Sequence, residues 1–146
     1  MSFYNVTNPT TFAVLDLQNR QGTIQQSALI RADSKQIFTA DTTLTAAQVV
    51  AGALFIDTSG GARTMTLPSA ASLLALLNAG TYASSPISTN DIVFMTVVAY
   101  GSGANAVTVQ TAGAATSTTV AGRTSEQVGI KFTNVTAGSE AMSVVN

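Results

Sequence analysis

The chain contains no cysteine and no histidine. The first absence removes structural disulfides, iron–sulfur clusters and thiolate zinc sites. The second removes the commonest metal ligand and the commonest general base near neutral pH. Together they leave no Ser-His-Asp or Cys-His constellation. Charge is also scarce, with 6 basic and 7 acidic residues among 146 and a net charge of −1. A nucleic-acid-binding surface needs clustered Lys and Arg to neutralise phosphates. The cations here are scattered, so neither a nucleic-acid partner nor a polybasic membrane contact is expected. No apolar run approaches the length of a membrane span, and the longest, Ile92 to Tyr100, is the size of a strand. Met1 to Asn5 shows no basic stretch leading into an apolar one, so no signal peptide is expected.

What is present is Ala, Gly, Val and Thr, with polarity supplied by Thr, Ser, Asn and Gln rather than by charge. Low charge favours association, and a protein built to pack against copies of itself or a lattice tolerates it. The length fits one domain with a core large enough to need no covalent staple.

Residues 1–38 differ in character from the rest. A polar stretch with Pro9 precedes the short apolar Thr11–Leu17, then the turn signal Asn19-Arg20-Gln21-Gly22 and an imperfect alternation from Ile24 to Ala32. This part reads as an N-terminal arm or a peripheral hairpin. Residues 39–146 read as one domain. Thr45-Ala46-Ala47-Gln48 is a capping box, and Gly52 is placed to end the short helix that follows. Ala53–Asp57 predicts a strand, Thr58-Ser59-Gly60-Gly61 a turn, and Arg63–Leu67 a half-buried strand. Pro68-Ser69 opens a second helix with Ala70, Leu73, Leu74 and Leu77 on one face, which Gly80 closes.

Asp91–Tyr100 is the strongest strand. Ile92, Phe94 and Val98 point one way and Val93, Met95 and Val97 the other, so both faces are expected to be covered, the second by the arm, a helix or another subunit. Further strands are expected around Val107 and Val109, over Thr116–Ala121, along Val128, Ile130 and Phe132, and at Met142 and Val144. No internal repeat stands out. Short strands at close spacing with two short helices in the connections predict a mainly β fold, a β-sandwich or jelly-roll-like domain.

Candidate chemistry is thin. Phe55-Ile56-Asp57-Thr58-Ser59-Gly60 approaches the Asp-Thr-Gly of aspartic proteases, but Ser59 stands where the glycine is needed, and a plain turn is the better reading. Lys35 and Lys131 accompany no serine motif and read as solvated. Asp33, Asp41, Asp57 and Asp91 lie far apart and form no calcium-loop pattern, and Gly101-Ser102-Gly103 lacks the lysine of a phosphate loop. Arg63 and Arg123 either anchor an interface or sit exposed at strand edges. Phe3, Tyr4, Phe12, Tyr82 and Tyr100 serve packing better than a sugar site. No catalytic, cofactor or metal residue is therefore assigned, and the chain is not expected to be an enzyme.

The segments Thr43-Leu44-Thr45-Ala46-Ala47-Gln48-Val49, Ala62-Arg63-Thr64-Met65-Thr66-Leu67-Pro68-Ser69-Ala70 and Phe132-Thr133-Asn134-Val135-Thr136-Ala137-Gly138-Ser139-Glu140-Ala141 resemble blocks in small virion surface proteins of tailed phages and large DNA viruses. The resemblance covers about residues 42–146. It implies a β-sandwich subunit, assembled as a homotrimer on the outer capsid surface. There it would act as a decoration, or cement, protein bound to the major capsid protein and stabilising the head. A receptor- or carbohydrate-binding module of a viral fibre or spike is the alternative. Its site would lie in the loops 81–90 or 112–116.

Overall fold

The computed structural model describes residues 36–79 and 85–146. The N-terminal arm, Gly80 at the expected end of the second helix and the start of the loop after it lie outside these residues. The described chain is mainly β, with two short α-helices. Its nine strands are β1 (Gln36–Phe38), β2 (Thr42–Thr43), β3 (Ala53–Asp57), β4 (Arg63–Thr66), β5 (Ile92–Tyr100), β6 (Val107–Gln110), β7 (Ser117–Val120), β8 (Ser125–Asn134) and β9 (Ala141–Val145). They form a five-stranded sheet in the order β1-β3-β5-β8-β9 and a four-stranded sheet in the order β2-β4-β6-β7. Gln36–Phe38, assigned by sequence to the N-terminal part, are thus a strand of the larger sheet, paired with Leu54–Ile56.

The chain alternates between the sheets. Each of β1–β2, β3–β4 and β5–β6 passes along the five-stranded sheet and then along the four-stranded one. Successive passes stack in parallel: Phe38 lies beside Ile56 and Ile56 beside Ala99, while Thr43 lies beside Thr66 and Thr66 beside Gln110. These are three coils of one stack. Their sequences differ too much to read as a repeat, because the connections carry different inserts. Helix α1 (Ala46–Val50) lies between the first and second coils, and α2 (Ala70–Leu77) between the second and third. The stack ends in antiparallel strands, β7 on β6 and then β8 and β9 on β5. The domain is thus a mainly β, β-sandwich or jelly-roll-like fold with two short helices, and both of its sheets are mixed.

The core lies between the sheets. Leu54 and Ile56 of β3, Met95, Val97 and Ala99 of β5, and Val128, Ile130 and Phe132 of β8 are buried in one cluster with Met65, Val107, Val109 and Val120 of the smaller sheet. Period-two alternation sends these residues inward and their neighbours outward. The helices close the cluster with Val49 from α1 and Leu73, Leu74 and Leu77 from α2. The capping box of α1 is formed, with the Gln48 amide donating to Thr45 Oγ1 at 3.2 Å and the Thr45 amide to Gln48 Oε1 at 2.8 Å. Gly52, at φ +80°, turns the chain out of this helix. Ser69 caps α2 through the Ser72 amide, and the helix ends at Leu77 with Asn78 as its cap.

Candidate interaction surface

The two outward faces of the sandwich differ in chemistry. Outward positions of the four-stranded sheet are polar: Thr43, Thr66, Gln110 and Ser117 form one row across the strands, and Thr64, Thr108 and Thr119 the next. Outward positions of the five-stranded sheet are largely apolar. Ile37 of β1 adjoins Phe55 of β3, which adjoins Val98 of β5, and along β5 the outward residues are Ile92, Phe94, Thr96, Val98 and Tyr100.

Four large hydrophobic residues of the described chain are exposed, Ile37 (51%), Phe94 (56%), Ile92 (42%) and Tyr100 (36%), and all lie on this one face. Isolated exposed apolar residues are ordinary, whereas a contiguous group marks an interaction site. On one side of β5, Met95, Val97 and Ala99 are buried in the core as expected; no described element covers the other side, and the arm, one of the covers expected there, lies outside the described residues. The reason is topological. Both helices close the space between the sheets, and neither crosses the back of β5.

The patch is tightly made. Gly129 of β8 faces outward opposite Phe94, and a Cβ placed on it would stand 2.7 Å from Val145 Cγ2, 3.1 Å from Ile92 Cγ2 and 3.3 Å from Phe94 Cε1. Three apolar side chains thus converge over a glycine, which is buried beneath them. Two charges share the face at diagonally opposite ends. Lys131 lies beside Ile92 on β8, and Asp57 lies beside Tyr100 on β3.

At the Tyr100 end, the corners of the second and third coils are joined. The Thr58 amide and hydroxyl both donate to the Tyr100 carbonyl, at 2.7 and 3.0 Å. Asn105 Nδ2 donates to the Thr58 carbonyl at 2.9 Å, and the Ser102 amide donates to Ser59 Oγ at 3.2 Å. Gly101, at φ +134°, permits this approach, since a Cβ there would lie 2.7 Å from both Ser59 N and Ser59 Oγ.

Asp57, the residue of the Asp-Thr-Ser-Gly stretch, belongs to this corner. Its Oδ1 accepts from the Ser59 amide at 2.8 Å. Hydrogen bonds from the Ser59 side chain and backbone hold its carboxyl below the usual carboxylate range, with a smaller contribution from the Arg63 charge. Arg63 is half-buried and its Nε donates to the Asp57 carbonyl at 3.3 Å, so this arginine braces a turn. Arg123 is exposed in the turn before β8, at φ +65°, and lines a shallow hollow with Tyr100, Thr124 and Ser125.

The remaining sequence candidates do not converge. Asp41 accepts from the Thr64 amide, joining the first coil to the second, and Asp91 accepts from the Ser88 amide. Asn134 Oδ1 accepts from the Thr136 amide at the end of β8. Among the described residues, no three His, Cys, Asp or Glu side chains are grouped as metal ligands. Likewise, no described helix is long and apolar enough to cross a membrane. Lys35, Asp33, Phe3, Tyr4, Phe12 and Tyr82 lie outside the described residues. The 112–116 loop carries a 3₁₀ turn of exposed Ala and Gly with no aromatic residue. Sequence reasoning had the apolar composition of both faces of β5, but not that Ile37 and Phe55 extend one of them. That extension follows from parallel register between distant strands.

Comparison with protein-family models, with curated proteins and with solved structures gives no match.

Proposed function

We propose that this chain is a structural protein of a virus particle, a capsid decoration or cement protein that assembles as a homotrimer and binds the outer capsid surface. The observation that carries the reading is the concentration of exposed apolar residues on the outward face of the five-stranded sheet. It sits on a domain whose few described charges, apart from Lys131 within β8, lie in turns or near strand ends. A subunit of this kind works by contact area rather than by chemistry. Each copy contributes modest contacts, and symmetry multiplies them. The resemblance of residues 42–146 to small virion surface proteins supports the same reading, with the major capsid protein as partner.

The mechanical logic is consistent with that role. Three stacked coils with hydrogen-bonded corners resist shear, because sliding one coil breaks the Thr58–Tyr100 and Asn105–Thr58 bonds together with the ladders. A clamp on a pressurised shell needs such a rigid body. The alternative, a receptor- or carbohydrate-binding module, is favoured by one feature, the open hollow where Tyr100 and Arg123 meet Thr124 and Ser125. An aromatic face beside hydrogen-bonding groups suits a sugar ring.

Solution mass, measured with and without assembled capsids of the source virus, separates the two. A stable trimer that co-sediments with capsids is expected. A monomer, or a trimer that ignores capsids, would favour the carbohydrate reading and direct the next measurement to a glycan screen.

A further inference from the structure

We infer that the apolar outward face of the five-stranded sheet is covered by another copy of this chain, with Phe94 near the centre of the contact. The inference deepens the proposed function by naming the surface through which copies meet, and it rests on that reading's self-assembly. Three observations select this occupant.

The first is composition. Among the described residues, all four exposed large hydrophobic side chains lie on this face, while the opposite outward face is lined with Thr and Gln. The protein thus has one side suited to water and one suited to burial, and a like face supplies the apolar surface that burial requires. The second is area. With strands about 4.8 Å apart and about 3.3 Å of rise per residue, the five strands present roughly 500 Å². That is smaller than the ~800 Å² each partner contributes to a standard interface and suits a contact that symmetry multiplies.

The third is charge. The face carries one carboxylate, Asp57, and one ammonium, Lys131, on opposite sides of β5 and at opposite ends of it, with the Arg123 guanidinium at its Tyr100 edge. Charges of both signs are present, so no strong field of one sign opposes the approach of a second copy. A strongly charged or nucleic-acid partner would find no matching field here. The lone glycine on this part of the face, Gly129, is already filled over by Phe94, Ile92 and Val145. The patch is therefore a raised apolar surface, not a groove shaped for an extended peptide.

The test uses the full chain and measures mass against concentration by sedimentation. Wild type is expected to associate. Phe94→Lys is expected to raise the dissociation constant on the order of 100-fold, because it buries an unpaired charge in the contact. Its melting temperature should change little, since Phe94 is 56% exposed. Thr108→Lys, on the opposite face, should associate as wild type does. Lys131→Glu should weaken association at low salt and regain part of it at high salt, because the face then carries two negative charges.

A second readout covers the case in which Phe94→Lys misfolds. The chain has no cysteine, so Ile37→Cys supplies a single thiol on the face and Thr119→Cys one on the other side. The first should be protected from alkylation as concentration rises, and the second should react throughout. A wild-type chain that stays monomeric at high concentration, a Phe94→Lys protein that associates unchanged, or an Ile37→Cys thiol that stays reactive would each overturn the inference. Capsid binding by a monomer would overturn it, and the homotrimer with it, while leaving capsid attachment itself in place. Association without capsid binding would support it and count against the cement reading.

Discussion

Phe94 stands directly opposite Gly129 in the antiparallel pair of β5 and β8, and its ring occupies space that a side chain on Gly129 would take. A ring laid over a strand glycine shields a backbone that would otherwise lie open. Gly129→Ala is expected to destabilise the domain by about 1–2 kcal/mol through overpacking. The tightest contact is with Val145, so Val145→Ala should relieve part of the cost. A double-mutant cycle by urea denaturation reads this as non-additivity.

Gly122 has less latitude. A Cβ there would collide with the Ala104 backbone and stand 2.6 Å from the Asn105 carbonyl oxygen. Backbone cannot rotate aside as a side chain can. Gly122→Ala is expected to cost more than Gly129→Ala, about 3 kcal/mol, and to lower the denaturation midpoint accordingly.

Asp57 sets a pH dependence. Its carboxyl titrates below the usual range because Ser59 donates to the ionised form. A lowered native pKa means that the unfolded chain binds the proton first as pH falls. The contribution is complete above the unfolded value of about 3.9 and is lost as pH drops below it through the native value. Asp57→Asn should therefore flatten the acid limb of stability below about pH 4. Thermal melts across that range check it.

Val97 and Val98 are neighbours with opposite outcomes. Val97 is fully buried between the sheets, whereas Val98 faces outward beside Phe55. Val97→Asp places an unpaired charge in the core and is expected to prevent folding, at a cost above about 3 kcal/mol. Val98→Asp should fold and show its effect in association. Circular dichroism and sedimentation distinguish the two. Assembly is therefore tested at Val98 or Phe94 rather than at Val97.

Truncation probes the boundary. A chain starting at Gln36 keeps every described strand and is expected to fold. A chain starting at Leu44 loses β1 and β2 and with them the pairing partners of Leu54–Ile56 and Met65–Thr66. It should melt lower or fail to fold. If the chain starting at Gln36 fails to fold, residues 1–35 are required by the domain rather than added to it.

Much of the local structure is legible in the chain, because the signals are local. Thr45 and Gln48 cap a helix across three residues, Ser69 caps another, and Leu73, Leu74 and Leu77 mark its buried side. Strict alternation along Val128, Ile130 and Phe132 names an inward face without reference to any partner strand. The scarcity of charge and the lack of His and Cys bound the chemistry in the same way, since composition does not depend on how the chain folds.

What tertiary structure decided is non-local. Parallel stacking of β1, β3 and β5 brings Ile37 and Phe55 alongside Val98, and so turns scattered residues into one apolar face. The same stacking seats Thr58 on the Tyr100 carbonyl and makes Asp57 part of a corner. Nothing within a strand specifies which distant strand lies beside it. That choice depends on the inserts carried by each coil and on which pairing fills the space between the sheets. Sequence determined the elements and their two faces, and only the packed fold settled which face is left for another molecule to cover.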